Sequence, residues 1–267
     1  MTNKALLEWY LEAGVDEAID ETPVNHFVPL AIEPHAPQAA AASAATHQAP
    51  RTSSSTASLQ HSPSAAAHVA RTLADQCTSI AELEAAVRAF DGCGIKKSST
   101  HTVFADGNPS AAVMFIGEAP GAEEDKKGIP FCGPSGQLLD HMLAAIGLDR
   151  VHNAYISNTI FWRPPGNRQP SNEETTTCLP FVEKHIALVN PKLLVLCGGV
   201  ATTSLLQKEQ SISRLRGKLY DYSNGYMNTP IKCAVIYHPS YLLRQPGQKR
   251  LAWADLLMVK NYLLSLS

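Results

Sequence analysis

The chain has 267 residues, 45% hydrophobic and 17% charged, with a formal net charge of −2, an ordinary composition for a globular core and enough chain for one large domain or a medium one with appendages. No apolar run approaches the roughly 20 residues of a membrane-spanning helix, and the N-terminus lacks the basic, apolar, small-residue order of a secretory signal, so a cytoplasmic protein is expected. The six cysteines, at 77, 93, 132, 178, 197 and 233, form no CxxC pair and no disulfide framework, which predicts reduced thiols.

Charge is unevenly spread along the chain. Residues 1–72 hold 3 basic and 7 acidic side chains, whereas residues 73–267 hold 19 and 17. The acidic balance belongs to the N-terminal part, and the mildly basic remainder is compatible with DNA binding if its Lys and Arg cluster on one face.

Residues 3–20 place Leu6, Leu7, Trp9, Tyr10, Leu11 and Val15 at partly helical spacing and predict an amphipathic helix within an N-terminal segment, 1–31. It either packs on the domain surface or docks on a repair or replication partner. Residues 32–72 consist mainly of Ala, Ser, Pro, Thr, His and Gln. Such a composition cannot bury enough surface to offset chain entropy, so a disordered linker is expected.

The folded domain is placed at 73–267. Ile80, Leu83, Ala86 and Val87 predict a helix over 79–90, stopped by Asp91-Gly92. Four short apolar runs, 112–116, 154–158, 193–197 and 233–237, predict buried strands. Helical patterns follow at 136–146, 172–189 (opened by Ser171-Asn172-Glu173-Glu174), 198–206 and 251–264. This alternation calls for a three-layer α/β/α sandwich around a mainly parallel, four-stranded sheet.

Each predicted strand runs into a polar loop. The first ends in Gly117-Glu118-Ala119-Pro120-Gly121, a sharp turn that presents a carboxylate, with Phe131 further along; the second ends in Asn158, ahead of the 163–168 loop with its two arginines. The third gives Gly198-Gly199, and the fourth gives His238-Pro239-Ser240-Tyr241-Leu242-Leu243-Arg244. Ligands of open α/β sheets bind at the carboxyl ends of strands, so parallel strands would bring an acid, an amide, an imidazole and an aromatic ring to one cleft. Singly, these residues read as a turn, a loop histidine, a core phenylalanine and helix packing. Together they suit a nucleobase, which must be extruded from a duplex before a pocket can read it, and whose edge an Asn can match with one acceptor and two donors.

The segments GEAPG, AEED, KKG and IPFCGPSGQLLD, then YISN and TIFWRPPGNRQP, then HPSYLLR resemble the three signature regions of the family 4 uracil-DNA glycosylases, in order and separation, over about residues 75–262. The resemblance implies an enzyme that hydrolyses the N-glycosidic bond of deoxyuridine in DNA, releasing uracil and leaving an abasic site in base-excision repair. It implies that Phe131 stacks on the flipped base, Asn158 reads its Watson–Crick edge, and His238 donates to the 2-carbonyl oxygen of the departing uracil anion, much as in an oxyanion hole. Glu118 either holds the attacking water or faces the positive charge developing on the sugar, and Glu124 stands near the 5-carbon, where it excludes thymine's methyl group. Leu242, Leu243 and Arg244 are expected to wedge into the duplex, and Ser135 and Ser240 to bond phosphates. The partner is uracil-containing DNA, without a membrane, and the protein is expected to act as a monomer.

One departure accompanies the match. Family 4 members carry four cysteines for a 4Fe–4S cluster, and the matching positions here are Phe90, Cys93, Trp162 and Cys178. Two thiolates fall short of the usual four, so no cofactor is expected and apolar packing should fill the place, unless Cys77 or Cys132 substitutes as a ligand. Cys197 and Cys233, within predicted strands, read as small hydrophobes. The alternative to an enzyme is a non-catalytic DNA-damage-binding or replication-associated module on the same fold; a Rossmann-like nucleotide binder is disfavoured by the missing GxGxxG.

Overall fold

A computed structural model describes residues 65–208 and 210–266; the helix expected over 3–20 and most of the linker expected over 32–72 lie outside them. Six strands, β1 (Ala105–Gly107), β2 (Val113–Gly117), β3 (Ala154–Asn158), β4 (Leu193–Cys197), β5 (Leu219–Tyr222) and β6 (Ile231–Ile236), form one sheet in the spatial order β1-β3-β2-β4-β6-β5. The helices are α1 (Ala65–Gln76), α2 (Ile80–Ala89), α3 (Ala122–Lys127), α4 (Pro134–Ala145), α5 (Asn172–Val189), α6 (Gly199–Leu206), α7 (Ile212–Leu215), α8 (Pro239–Arg244) and α9 (Lys249–Leu264). Among the described residues, no helix is long and apolar enough to cross a membrane.

The four apolar runs become the parallel centre of the sheet, and β2, β3 and β4 are buried at every position. Because successive strand side chains point to opposite faces, β2 feeds two cores. Met114 and Ile116 join α1, α2, α5 and α6 on one face, whereas Val113 and Phe115 join α4, α8 and α9 on the other. The three-layer arrangement thus follows from strands that are apolar on both sides.

The expected four-stranded sheet needs correction to a mixed sheet of six. β1 pairs antiparallel with β3, and β5 antiparallel with β6, closing the two edges. Both are short and partly exposed, so neither carries the continuous apolar run that marks a buried strand. The expected linker boundary also moves. Residues 65–72 are helical, and Ala67, Ala70 and Ala74 are buried as α1 lies along α5. The alanines that make this stretch look like linker are the small side chains that let two helices approach closely.

Helix ends follow local chemistry. Ser171 and Glu174 cap α5 reciprocally: the Glu174 N–H donates to Ser171 Oγ at 3.2 Å, and the Ser171 N–H donates to Glu174 Oε2 at 2.7 Å. In the centre of the sheet the register sets Gly117 beside Asn158, Ile116 beside Leu196, and Leu196 beside Val235. Four strand ends therefore share one edge. From β2 the chain passes to β3 on one side and then to β4 on the other, so the carboxyl ends of β2 and β4 flank the point where winding reverses, the usual place for a ligand crevice.

A chain beginning at Leu73 loses the buried Ala67 and Ala70, the Arg71–Glu183 ion pair at 2.7 Å and the Arg71 guanidinium 5.0 Å above the Tyr226 ring. We expect calorimetry to show it about 2 kcal/mol less stable than a chain beginning at Pro63, a fall in Tm of roughly 4–8 °C. Equal melting temperatures would remove residues 65–72 from the folded unit.

Candidate active site

A cleft of about 680 Å³ opens at this edge of the sheet. Its walls come from the loops after β2, β3, β4 and β6, with Ile212 and Ser213 of α7 at the rim. Glu118, Glu124, Phe131, Ser135, Asn158, His238, Ser240 and Arg244, eight residues singled out from the sequence, all line it.

The closest packing is around Gly117, the last residue of β2. A Cβ there would overlap both the Phe131 ring and Asn158 Oδ1, so only glycine lets the ring and the amide lie against the strand end. Phe131 itself has φ +52°, a conformation uncommon for a bulky residue. A Cβ on Gly136, in the first turn of α4, would overlap the Phe131 carbonyl, so that glycine admits the unusual backbone. The ring is buried, with its centroid 5.4 Å from that of His238 at an interplanar angle of 29°.

Asn158 is buried, and its Oδ1 has no hydrogen-bond partner among the described residues. Leaving a buried acceptor unpaired costs on the order of 1–3 kcal/mol. Within a cleft wall, such an atom is ready for a donor brought by a ligand.

His238 caps the start of α8. Its Nδ1 accepts from the Ser240 backbone N–H at 3.1 Å and lies 2.8 Å from Ser240 Oγ. A backbone N–H can only donate, so Nδ1 carries no proton, and the neutral ring holds its proton on Nε2. Burial, helped by the Arg244 charge, pushes the His238 pKa down to about 4, which keeps the ring neutral at physiological pH. Gly198, at φ +99°, leaves space beside it: a Cβ there would stand 3.0 Å from His238 Cβ.

Glu118 is half-buried in the same cleft. Burial raises its pKa above the ordinary carboxylate value, and the Arg244 cation opposes that rise. The Glu118 backbone is fixed by its carbonyl, which accepts from Thr159 Oγ1 at 2.6 Å and from the Ile160 N–H at 3.2 Å. Its carboxylate is thus mounted on a braced turn.

The other expected residues divide. Glu124 is buried, with Oε1 accepting from the Cys132 and Gly133 N–H groups at 3.0 and 2.8 Å and Oε2 from the Gly121 N–H at 3.1 Å. Its carboxylate ties the two ends of the loop together. Ser240 spends its N–H, and in this rotamer its hydroxyl, on His238. Leu242 requires correction: it is 1% exposed and packed in the core with Leu256 and Val259, so it cannot reach a duplex without unfolding α8. Its neighbour Leu243 is 43% exposed, because adjacent residues of a helix point apart. Tyr237 and Tyr241, not singled out from the sequence, also line the cleft, with ring centroids 5.0 Å apart. They flank His238 in the chain, so the signal was present. Ile212 and Ser213 carried none.

At the family's cluster-ligand positions the residues do not fit a 4Fe–4S cluster. Phe90 and Trp162 are buried in the same core as Cys93 and Cys178. Phe90 packs edge-on against Phe181, centroids 5.1 Å apart, and Trp162 Nε1 donates to Thr102 Oγ1 at 3.0 Å. The Cys93 and Cys178 thiols interact electrostatically, which lowers the Cys93 pKa and, with burial, raises that of Cys178. Cys77 donates to the Leu73 carbonyl at 3.2 Å, and Cys132 stands in the Glu124 loop. Among the described residues, no three His, Cys, Asp or Glu side chains are grouped to hold a metal.

Comparison with known proteins agrees with this geometry. The family model described as "Uracil DNA glycosylase superfamily" matches residues 104–257. A type-4 uracil-DNA glycosylase of Archaeoglobus fulgidus is 37% identical over 158 residues, covering 58% of this chain and 78% of the relative. Others, from Sulfurisphaera tokodaii and Thermotoga maritima, are 35% and 34% identical, covering 63% and 66% of this chain and 78% and 91% of the relatives. With the winding-reversal cleft, the glycine-seated ring and amide, and the matched family region in one place, the chain belongs to the type-4 uracil-DNA glycosylases of the uracil DNA glycosylase superfamily.

Proposed function

We propose that this protein is a uracil-DNA glycosylase that hydrolyses the N-glycosidic bond of deoxyuridine in DNA, releases uracil and leaves an abasic site for base-excision repair. The observation that carries the proposal is the unpaired Oδ1 of Asn158, buried in the cleft wall next to the Phe131 ring. Uracil presents an N3–H donor beside the O4 acceptor, which match an amide oxygen and amide N–H. Cytosine presents the reverse order, an N3 acceptor and an amino donor, and with the amide kept in this orientation would leave Oδ1 unpaired, at a cost of about 1–3 kcal/mol.

In this reading Phe131 stacks on the extruded base, and the Nε2–H of His238 donates to O2. As the C1′–N1 bond breaks, its electron pair moves onto uracil, and charge on O2 strengthens that hydrogen bond more in the transition state than in the ground state. A neutral donor suits this task, since its proton stays on the enzyme. Glu118 holds the water that attacks C1′. Burial raises its proton affinity, which favours accepting the water's proton. Glu124 keeps the loop wall close to the base edge, where a 5-methyl group would clash. Leu243 and Arg244 act as the wedge, Ser135 contacts a phosphate, and Ser240 does so once its hydroxyl rotates away from His238.

The aromatic packing around Cys93 and Cys178 supports a protein that folds and works without a 4Fe–4S cluster. Cytoplasmic location, action as a monomer and recruitment through the N-terminal segment rest on the sequence alone.

Incubation with a uracil-containing oligonucleotide followed by alkali should cleave the strand at uracil, and His238→Ala should lower the rate by about 10²–10³-fold, as for loss of one oxyanion donor. Tight binding without product would favour the non-catalytic module instead. The pH–rate profile should have an acid limb, where Glu118 gains a proton or, lower down, His238 does. Arg244 lowers both pKa values, so in Arg244→Met that limb should move to higher pH; an unmoved limb would detach Arg244 from both groups. Anaerobically purified protein should be colourless and contain far less iron than one cluster per chain, and stoichiometric iron and sulfide would overturn the cluster-free reading.

A further inference from the structure

We infer that Arg150, which lies outside the cleft and is absent from its lining, is a positioning residue for the excision reaction, setting the Phe131 ring by gripping the peptide behind it. The inference rests on the proposed function and adds a residue to it.

The guanidinium is held in a fixed plane by two carboxylates on different elements. Nε donates to Asp140 Oδ1 of α4 at 2.7 Å, and Nη1 donates to Asp106 Oδ2 of β1 at 3.0 Å. The remaining reach of the fork goes to consecutive carbonyls of the ring's own loop: Nη1 donates to Pro130 O at 2.8 Å, and Nη2 donates to Phe131 O. Gly107 brings β1 so near that a Cβ there would stand 3.2 Å from the Arg150 carbonyl.

Three features show that this is more than a surface ion pair. Asp106 and Asp140 are 38% and 48% exposed, so the carboxylate ends of these pairs are well solvated and contribute modestly to stability, whereas the Arg150 side chain is 16% exposed and turned toward the loop carbonyls. The gripped peptide belongs to Phe131, whose φ of +52° is unfavourable for a bulky side chain and persists only where its surroundings hold it. The same carbonyl is pressed against Gly136, so Arg150 and α4 fix the peptide together while the ring on its other end closes the cleft beside Gly117 and His238. A planar five-donor fork can reach two carboxylates and two carbonyls, whereas a lysine ammonium cannot.

The test measures single-turnover excision from a uracil-containing duplex by the full chain carrying Arg150→Met, Arg150→Lys, Phe131→Ala, or Phe131→Ala with Arg150→Met. Arg150→Met should slow the chemical step by about 10- to 100-fold, the scale of an ångström-level misplacement, with little change in affinity for the duplex. Arg150→Lys should stay slow although it keeps the charge. In the Phe131→Ala background, Arg150→Met should add little, because both changes act on one group. Full speed with lysine, or an equal loss in both backgrounds, would overturn the inference. A crystal structure of Arg150→Met gives a readout independent of activity: Phe131 should leave the left-handed conformation and its ring should shift away from His238. An unmoved Phe131 would overturn the inference, and that comparison decides even if the unaltered chain excises no uracil, a result that would instead reject the proposed function.

Discussion

The space left by one missing side chain organises the site. At the end of β2, Gly117 allows the Phe131 ring and the Asn158 amide to occupy the volume that a Cβ would fill. The register that pairs Gly117 with Asn158 brings the amide there directly. Phe131 comes from a loop and arrives only through a left-handed backbone admitted by a second glycine, Gly136. A substitution at Gly117 would separate the ring from the amide without altering either residue.

Electrostatics then divides the cleft. The same burial acts in opposite ways on its two titratable groups, raising the proton affinity of Glu118 and lowering that of His238. Desolvation disfavours whichever form is charged, so one low-dielectric pocket holds a carboxylate that takes up a proton more readily and an imidazole that stays neutral. Arg244 modulates both, since its positive charge favours the ionised carboxylate and disfavours the imidazolium. The arrangement resembles other active sites where paired titratable groups are pushed apart in pKa by their surroundings.

The core on the α1, α2 and α5 face of the sheet is packed differently. At the four positions where the resemblance implies cluster ligands, Phe90 and Trp162 contribute large apolar side chains to the core shared by α1, α2 and α5, beside the buried Cys93 and Cys178. Metal–thiolate bonds in such a place would staple the chain. Here van der Waals contact and one indole hydrogen bond to Thr102 occupy it. Helix α1 adds to the same layer, extending the core into a stretch whose alanine-rich composition resembles linker.

The sequence alone determined the parallel centre of the sheet and the loops that carry chemistry, because β2, β4 and β6 are apolar at nearly every position, β3 opens on an apolar run, and each runs into residues that no core would choose. It also located the cleft-lining Glu118, Phe131, Asn158 and His238, since parallel strands of similar length must put their ends on one edge. Tertiary structure decided what periodicity cannot encode. The edge strands β1 and β5 exist because neighbouring strands offer them hydrogen bonds, not because their own residues are apolar. Leu242 and Leu243 look interchangeable in the chain, yet the packing of α8 buries one and exposes the other. Glu124 was legible as an acid in the right loop, but only the folded loop reveals three backbone amides converging on it. Arg150 reaches Phe131 across 19 positions of sequence, and a contact between residues so far apart, through a backbone carbonyl that every residue possesses, leaves no signature in side-chain pattern.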